Sequence, residues 1–269
     1  FGKIDPFLFF DQNSIADDET TRFLNTAFVH NPLLDAGGDV GVDAFGFTPG
    51  LRFAYHNETA KPITWGTSLG VFGAGRGATF TDSFEKPFAI AQFETAQKFF
   101  GGLNGNYRLY VWRNGQATAY ANESDTQTEK HAGWGMSLDQ RVGDATTLFA
   151  RYGHQTQGKA RFDRAVTLGA EFGGSYWGRG ADAVGVAVGH LQTSADFRRD
   201  APALDADGDG TADFGYAASG AEQLIELYYR WRIHAQFEVS PDLQHVSRPA
   251  GNGAAKDVNL IGLRAQLTF

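Results

Sequence analysis

The sequence of 269 residues has no cysteine and a single methionine. Disulfides, thiolate metal centres and a cysteine nucleophile are excluded. Basic charge is also in short supply: 23 Lys and Arg stand against 31 Asp and Glu, for a net charge of −8. A nucleic-acid partner normally meets a basic face, so this balance argues against one. No run of 18 apolar residues occurs, which removes a transmembrane helix. Apolar side chains are nonetheless plentiful, and 42% hydrophobic with 14% aromatic content excludes a disordered chain. The sequence begins at Phe1 without a signal-peptide pattern, as expected of a mature chain or a piece of one.

What is present is alternation. Ile225, Leu227, Tyr229 and Trp231 share one side of a segment whose other side carries Glu222, Glu226, Tyr228 and Arg230, with Leu224 the exception. Ile261, Leu263, Ala265, Leu267 and Phe269 repeat the pattern against Gly262, Arg264, Gln266 and Thr268. So do Tyr107, Leu109 and Val111 against Asn106, Arg108, Tyr110 and Trp112. A two-residue period means strands. Twelve are expected, at 1–9, 48–56, 63–74, 87–97, 104–113, 130–141, 145–155, 162–173, 182–193, 220–231, 236–247 and 257–269. Their lengths exceed the roughly 5–6 residues of a soluble strand and match the roughly 9–11 of a membrane-spanning one. Tight connections at 142–144 and 232–235 alternate with longer ones at 10–47, 114–129, 194–219 and 248–256. This is the rhythm of an outer-membrane barrel with short periplasmic turns and long external loops. Placing Phe269 at the periplasmic end puts the long loops outside and, with twelve strands, returns Phe1 to the periplasmic side. A soluble β-sandwich is the alternative, but charge on the enclosed face makes sense where that face lines water.

Several strings resemble the OprB-type carbohydrate-selective porins of Gram-negative outer membranes. They are GKIDPFLFFDQN (2–13), GNYRLYVW (105–112), GWGMSLDQRVGDATTLFARYG (133–153), GAEFGGSYWGRGADAVGVAVG (169–189), ELYYRW (226–231), VSPDLQHVSRPAG (239–251) and LRAQLTF (263–269). The resemblance implies an all-β transmembrane antiparallel barrel of roughly sixteen strands, wide enough for an aqueous channel. The chain is then read as one porin domain over 1–269, lacking N-terminal strands and with no second domain. An open sheet cannot stand in lipid, so its edges need partners. The terminal Phe269 resembles the signal read by the barrel-assembly machinery. A cell-wall-binding module upstream, as some relatives carry, would provide contact with the wall.

Alternation nominates lumen-facing residues: Arg108, Tyr110, Trp112, Asp139, Arg151, Glu171, Glu226, Tyr228, Arg230, Gln244 and Arg264, with Trp177, Arg179 and Asp182 near a turn. Arginine's rigid fork of five donors suits the hydroxyls of neutral sugars. Arg151, Glu226 and Arg230 are the foremost constriction candidates, and a purely structural ladder of interior charges is the competing reading. Asp205, Asp207, Asp209 and Asp213, with Gly210, match a calcium loop within 194–219, although position 12 is Tyr216 where a bidentate Glu is needed. A solvated acidic loop is the alternative, and no cofactor is required for transport. Gly66-Thr67-Ser68-Leu69-Gly70 fits a nucleophile-elbow string but lies within an expected strand with no helix after it.

Segment 10–47 is the least strand-like. Ser14 ahead of Asp17 suggests a capped helical turn or two, and the segment either folds into the channel or forms a surface loop. Pro241 within 236–247 is expected near the periplasmic rim or at a bulge. The resulting expectation is an outer-membrane porin that is not an enzyme, surrounded by lipid, passing small sugars or similar solutes by diffusion and binding no nucleic acid. The alternatives are a structural barrel that anchors the envelope with only general ion-pore activity, and a barrel enzyme of the lipase kind.

Overall fold

The computed structural model describes residues 1–34, 46–57, 64–74 and 84–268. Among the described residues, twelve strands form one sheet in strict sequence order, every neighbouring pair antiparallel. They are β1 (Gly2–Ile4), β2 (Thr48–Asn57), β3 (Thr64–Phe72), β4 (Phe88–Phe99), β5 (Leu103–Ala117) and β6 (Glu129–Arg141). β7 (Thr146–Gln157), β8 (Phe162–Gly173), β9 (Ala183–Thr193), β10 (Ala221–His234), β11 (Phe237–Ser247) and β12 (Val258–Leu267) complete the sheet. Among the described residues β1 pairs only with β2, and β12 only with β11. No described helix is long and apolar enough to cross a membrane; the crossing elements are strands.

The alternation decides which side meets hydrocarbon. Phe53, Leu109, Val111, Ile225, Leu227, Trp231 and Leu263 are exposed on the outer side. Their immediate neighbours Tyr110, Trp112, Glu226 and Tyr228 are buried on the inner side. A sheet with large apolar residues outward and polar groups inward is stable only where lipid replaces water outside. At the end bearing the short turns, Trp177 lies 6.2 Å from Tyr229 and Arg179 lies over the ring of Trp231, an aromatic girdle of the kind that marks a membrane interface. Trp177 and Arg179 thus sit at this rim beside the outer face, away from the lumen wall where the turn-proximal string had suggested them. The tight turn Phe100–Gly102 is built on positive φ at Gly101 and Gly102, which residues without a Cβ adopt freely.

Four expectations need correction. The strand expected at 1–9 is three residues long, because Asp5 caps a 3-10 turn at Pro6–Leu8, accepting the Phe7 N–H at 2.8 Å. Gly2 lies opposite Gly50, near the long-loop end of β2, so the chain start is not at the periplasmic end. Ser14 caps no helix: its hydroxyl and N–H are bonded to Asp139, and the segment's α-turn, α1 (Thr26–Val29), follows Asn25 instead. Pro241 lies well inside β11, paired with Leu263 of β12. The β10–β11 ladder passes from Tyr228–Asp242 to Trp231–Val239 at that point, so the proline interrupts pairing without shifting register. The terminal Phe269 lies outside the described residues.

Candidate functional site

Segment 5–34 folds inward and packs on the concave face of the sheet. Phe10, Ile15, Phe23, Phe28, Leu33 and Leu34 from the segment are buried against Phe72, Phe88, Ile90, Phe149, Leu191 and Leu224 from the strands. Leu224, the one apolar break in the polar side of β10, is explained by this cluster: a Cβ added at Gly189 would touch both Leu224 and Phe28. The inner face is therefore not lined by water throughout.

Polar anchors fix the segment's position. Arg151 of β7 donates its Nε to Asp11 Oδ1 at 3.1 Å, one terminal nitrogen to the Asp11 carbonyl at 2.9 Å and the other to the Phe28 carbonyl at 2.7 Å. Asp11 also accepts the Tyr110 hydroxyl at 2.7 Å and the Asn31 N–H at 2.6 Å. Arg151 is 1% exposed and Asp11 0%. A buried pair of this kind persists only where the remaining donors and acceptors are satisfied, as these are. Asp11 has φ of 58°, in the left-handed region that Asp tolerates better than bulkier residues.

Further along the segment, Asp139 of β6 takes both the N–H and the hydroxyl of Ser14, together with Asn106 and a weaker contact from Arg108. Glu226 of β10 accepts the N–H groups of Leu24 and Asn25, satisfying donors just ahead of α1. Arg22 meets Glu171, which also accepts the Tyr228 hydroxyl. Arg264 of β12 donates to the carbonyls of Glu19 and Arg22. Gln244 accepts from the Asn25 amide.

Of the residues nominated from alternation, Arg151, Asp139, Glu226, Tyr110, Trp112 and Tyr228 thus lie on the inner side but are buried beneath the segment. Arg108, Arg230 and Arg264 keep partial exposure. Residues not singled out from the sequence complete the arrangement: Asp11, Asn13, Asn31, Gln12, His56 and Glu94. Glu94 lies 3.2 Å from the His56 imidazole and 3.8 Å from Arg108. These side chains, with Gln12 and Asn106, border an open cleft of about 370 Å³.

His30 stacks on Phe7 with ring centroids 4.0 Å apart. Burial, with the Arg151 charge adding, pulls its pKa from 6.5 down to about 3. Docked His30 is neutral, whereas His30 released into water is protonated below its ordinary value. Through this group docking is fully favoured above that value and weakens as pH falls toward 3. Asp11 acts in the opposite sense, since burial raises its pKa against the pull of Arg151, the Tyr110 hydroxyl and the Asn31 N–H. The expected result is that acidification loosens the segment more in the wild type than in His30→Phe, which retains the ring stack without the proton site. Single-channel conductance recorded for both from neutral to acid pH measures the difference.

The acidic loop is partly assembled. Asp205, Asp207 and Asp209 each offer a carboxylate oxygen within 4.8 Å of the others. Asp213 turns away from them, accepting the Asn122 amide at 2.8 Å and the Ala206 N–H at 2.9 Å. A six-residue helix, α2 (Ala195–Asp200), lies shortly before the loop, where none was expected. Ser68 of the Gly66–Gly70 string is in mid-strand, its hydroxyl accepting from Arg52 at 3.0 Å.

Comparison with known proteins follows the same line. No curated protein matches the sequence significantly. Among solved structures, the chain is similar to Pseudomonas putida OprB, in a structure determined at high pH: TM-score 0.77, 22% identity, covering 100% of this chain and 69% of that one. Weaker likenesses are to a doubly substituted OccD1 (OprD), at TM-score 0.48 and 9% identity over 80% of this chain and 59% of that one, and to Pseudomonas aeruginosa OccD3 (OpdP), at 0.42 and 11% over 83% and 61%. The sequence profile described as carbohydrate-selective porin, OprB family, matches residues 2–269. With an inward-folded segment seated in an outward-apolar antiparallel sheet, and a family match over nearly its whole length, the chain belongs to the OprB family of carbohydrate-selective porins of the Gram-negative outer membrane.

Proposed function

We propose that segment 5–34 is the constriction of a water-filled lumen through which small carbohydrates diffuse passively. The observation that carries this reading is the docking itself: buried polar anchors hold a long segment against the inner wall and leave an open, polar cleft beside it. Passage through such a lumen needs no catalytic group. It needs donors and acceptors placed side by side, because sugar hydroxyls are both. The cleft offers a guanidinium from Arg108, a carboxylate from Glu94, the amides of Gln12 and Asn106, and the His56 ring. Arg230 and Arg22 supply further positive charge along the inner face. The reading also requires the second edges of β1 and β12 to be paired in the membrane, since hydrocarbon cannot satisfy their N–H and C=O groups.

The test is sugar-dependent block of single-channel current in planar bilayers. A hydrogen bond to a charged group is worth about 1.5–3 kcal/mol, so Arg108→Ala should raise the sugar concentration that halves the current by about tenfold or more. Arg230→Ala, measured alongside, should shift it in the same direction. Unchanged block in both variants and in Glu94→Gln would remove these residues from the solute path.

A further inference from the structure

We propose that the outer face of β5–β9, near its long-loop end, is a binding site for a phosphorylated glycolipid of the outer leaflet. The chain as a whole is acidic, at −8. On β2–β12 the Arg and Lys residues of the inner side are Arg52, Lys98, Arg108, Arg141, Arg151, Arg230, Arg232 and Arg264; only Arg113, Lys130 and Arg164 alternate outward among the described residues. All three are exposed, and all three lie toward the long-loop ends of their strands, β5, β6 and β8. On a surface that is otherwise apolar, a cation facing outward is costly in hydrocarbon, and this cost vanishes only at headgroup level. Their placement is one-sided in a second way: β10–β12 show Gln223, His245 and Asn259 at the corresponding end, with no Lys or Arg.

The register gives the site its shape. Arg113 lies opposite Ala132, so Lys130 is its diagonal neighbour on β6, and together they form one positive node. Arg164 on β8 lies opposite His154 on β7, and His190 on β9 is diagonal to Arg164; these form a second node. Arg164 lies three strand spacings from Arg113, about 14 Å across the sheet, and two from Lys130, about 10 Å. Between and below them, Trp134 packs against Tyr152 at a tilt of 49°, with centroids 5.1 Å apart, and borders His154. Arg113 and Lys130 have no ion-pair partner among the described residues, and Arg164 spends only Nε on Asp163, at 3.5 Å. Two phosphate-sized positive nodes flanking an aromatic platform, with apolar Val111, Val166 and Val188 beneath, suit a headgroup bearing more than one phosphate on sugar rings, whose acyl chains run down the wall. Arginine and lysine both bind phosphate, and aromatic rings stack on sugar faces at the interface.

The experiment uses the barrel purified in mild detergent from a Gram-negative outer membrane. Lipopolysaccharide and its enzymatically dephosphorylated form are titrated and bound lipid is read by native mass spectrometry. The wild type should retain the phosphorylated lipid and bind the dephosphorylated form far more weakly. In the triple variant Arg113→Gln, Lys130→Gln, Arg164→Gln, affinity should fall roughly a hundredfold, at about fivefold per cation removed. The charge-keeping variant Arg113→Lys, Lys130→Arg, Arg164→Lys should bind as the wild type does. Single-channel conductance, set by the inner face, should be the same in all three, which shows that the barrel is folded. Equal binding of the two lipid forms, or undiminished binding by the Gln variant, would overturn the proposal.

Discussion

Arg151→Met should release segment 5–34 from the wall and open the pore. Arg151 reaches the segment through three donated hydrogen bonds, two of them to backbone carbonyls at separate places, Asp11 and Phe28. Removing it leaves the Asp11 carboxylate buried beside Tyr110 and Asn31 without a counter-charge. Breaking one partner of a buried pair costs about 3–5 kcal/mol, more than isosteric replacement of both. On a two-state view of docking, that shifts the docked-to-released ratio by about two to three and a half powers of ten. Single-channel conductance should rise, and protease added to the folded barrel should cut within 12–30 at a rate the wild type resists. The double variant Asp11→Asn, Arg151→Met should recover much of the loss, because no uncompensated charge remains. Equal conductance and equal protease resistance in wild type and Arg151→Met would show that the segment is held by its apolar contacts alone.

Why the strands were legible and the inward-folded segment was not follows from what each depends on. A strand's face is set by a local period of two, which is printed in any ten residues of it. Eleven expected strands match to within a few residues, and the twelfth failed at Pro6, where a local cap outcompeted pairing. The inward segment depends on contacts between residues more than a hundred positions apart, such as Asn13 with Ser137 and Leu24 with Glu226. No period announces these. Alternation also cannot tell an inner residue that meets water from one that meets another part of the chain. Arg108 on β5 and Arg151 on β7 face the same side of the sheet, one strand apart, yet one borders the cleft and the other is sealed. Two clues were present. Leu224 broke the polar side of β10, and Phe9-Phe10-Asp11-Gln12-Asn13 set acidic and amide groups directly after aromatic ones, as a segment must if it is to be buried and still hydrogen-bonded.

The steric counterpart of the Arg151 experiment is Gly153→Val. Gly153 faces inward on β7, two residues from Arg151, and a Cβ there would stand 2.5 Å from Asn31 Oδ1, 2.9 Å from its Nδ2 and 3.0 Å from a Leu33 methyl. Asn31 has little freedom to yield: its amide donates to the Tyr110 hydroxyl at 2.7 Å and the Tyr152 carbonyl at 3.2 Å, and its Oδ1 accepts the Leu33 N–H at 3.1 Å. Overpacking by even a small group typically costs about 1–3 kcal/mol. Here a branched side chain would also break three hydrogen bonds of a buried group. The strand itself suffers nothing, since valine favours extended backbone more than glycine does. The expected outcome is therefore split: the segment undocks, with conductance and proteolysis rising as for Arg151→Met, while thermal unfolding of the barrel is unchanged or slightly raised. Asn31→Gly placed on Gly153→Val should return part of the docking by making room, whereas on the wild type it should only weaken it. That reversal of sign is what close packing at this point requires, and a simple sum of the two single effects would contradict it.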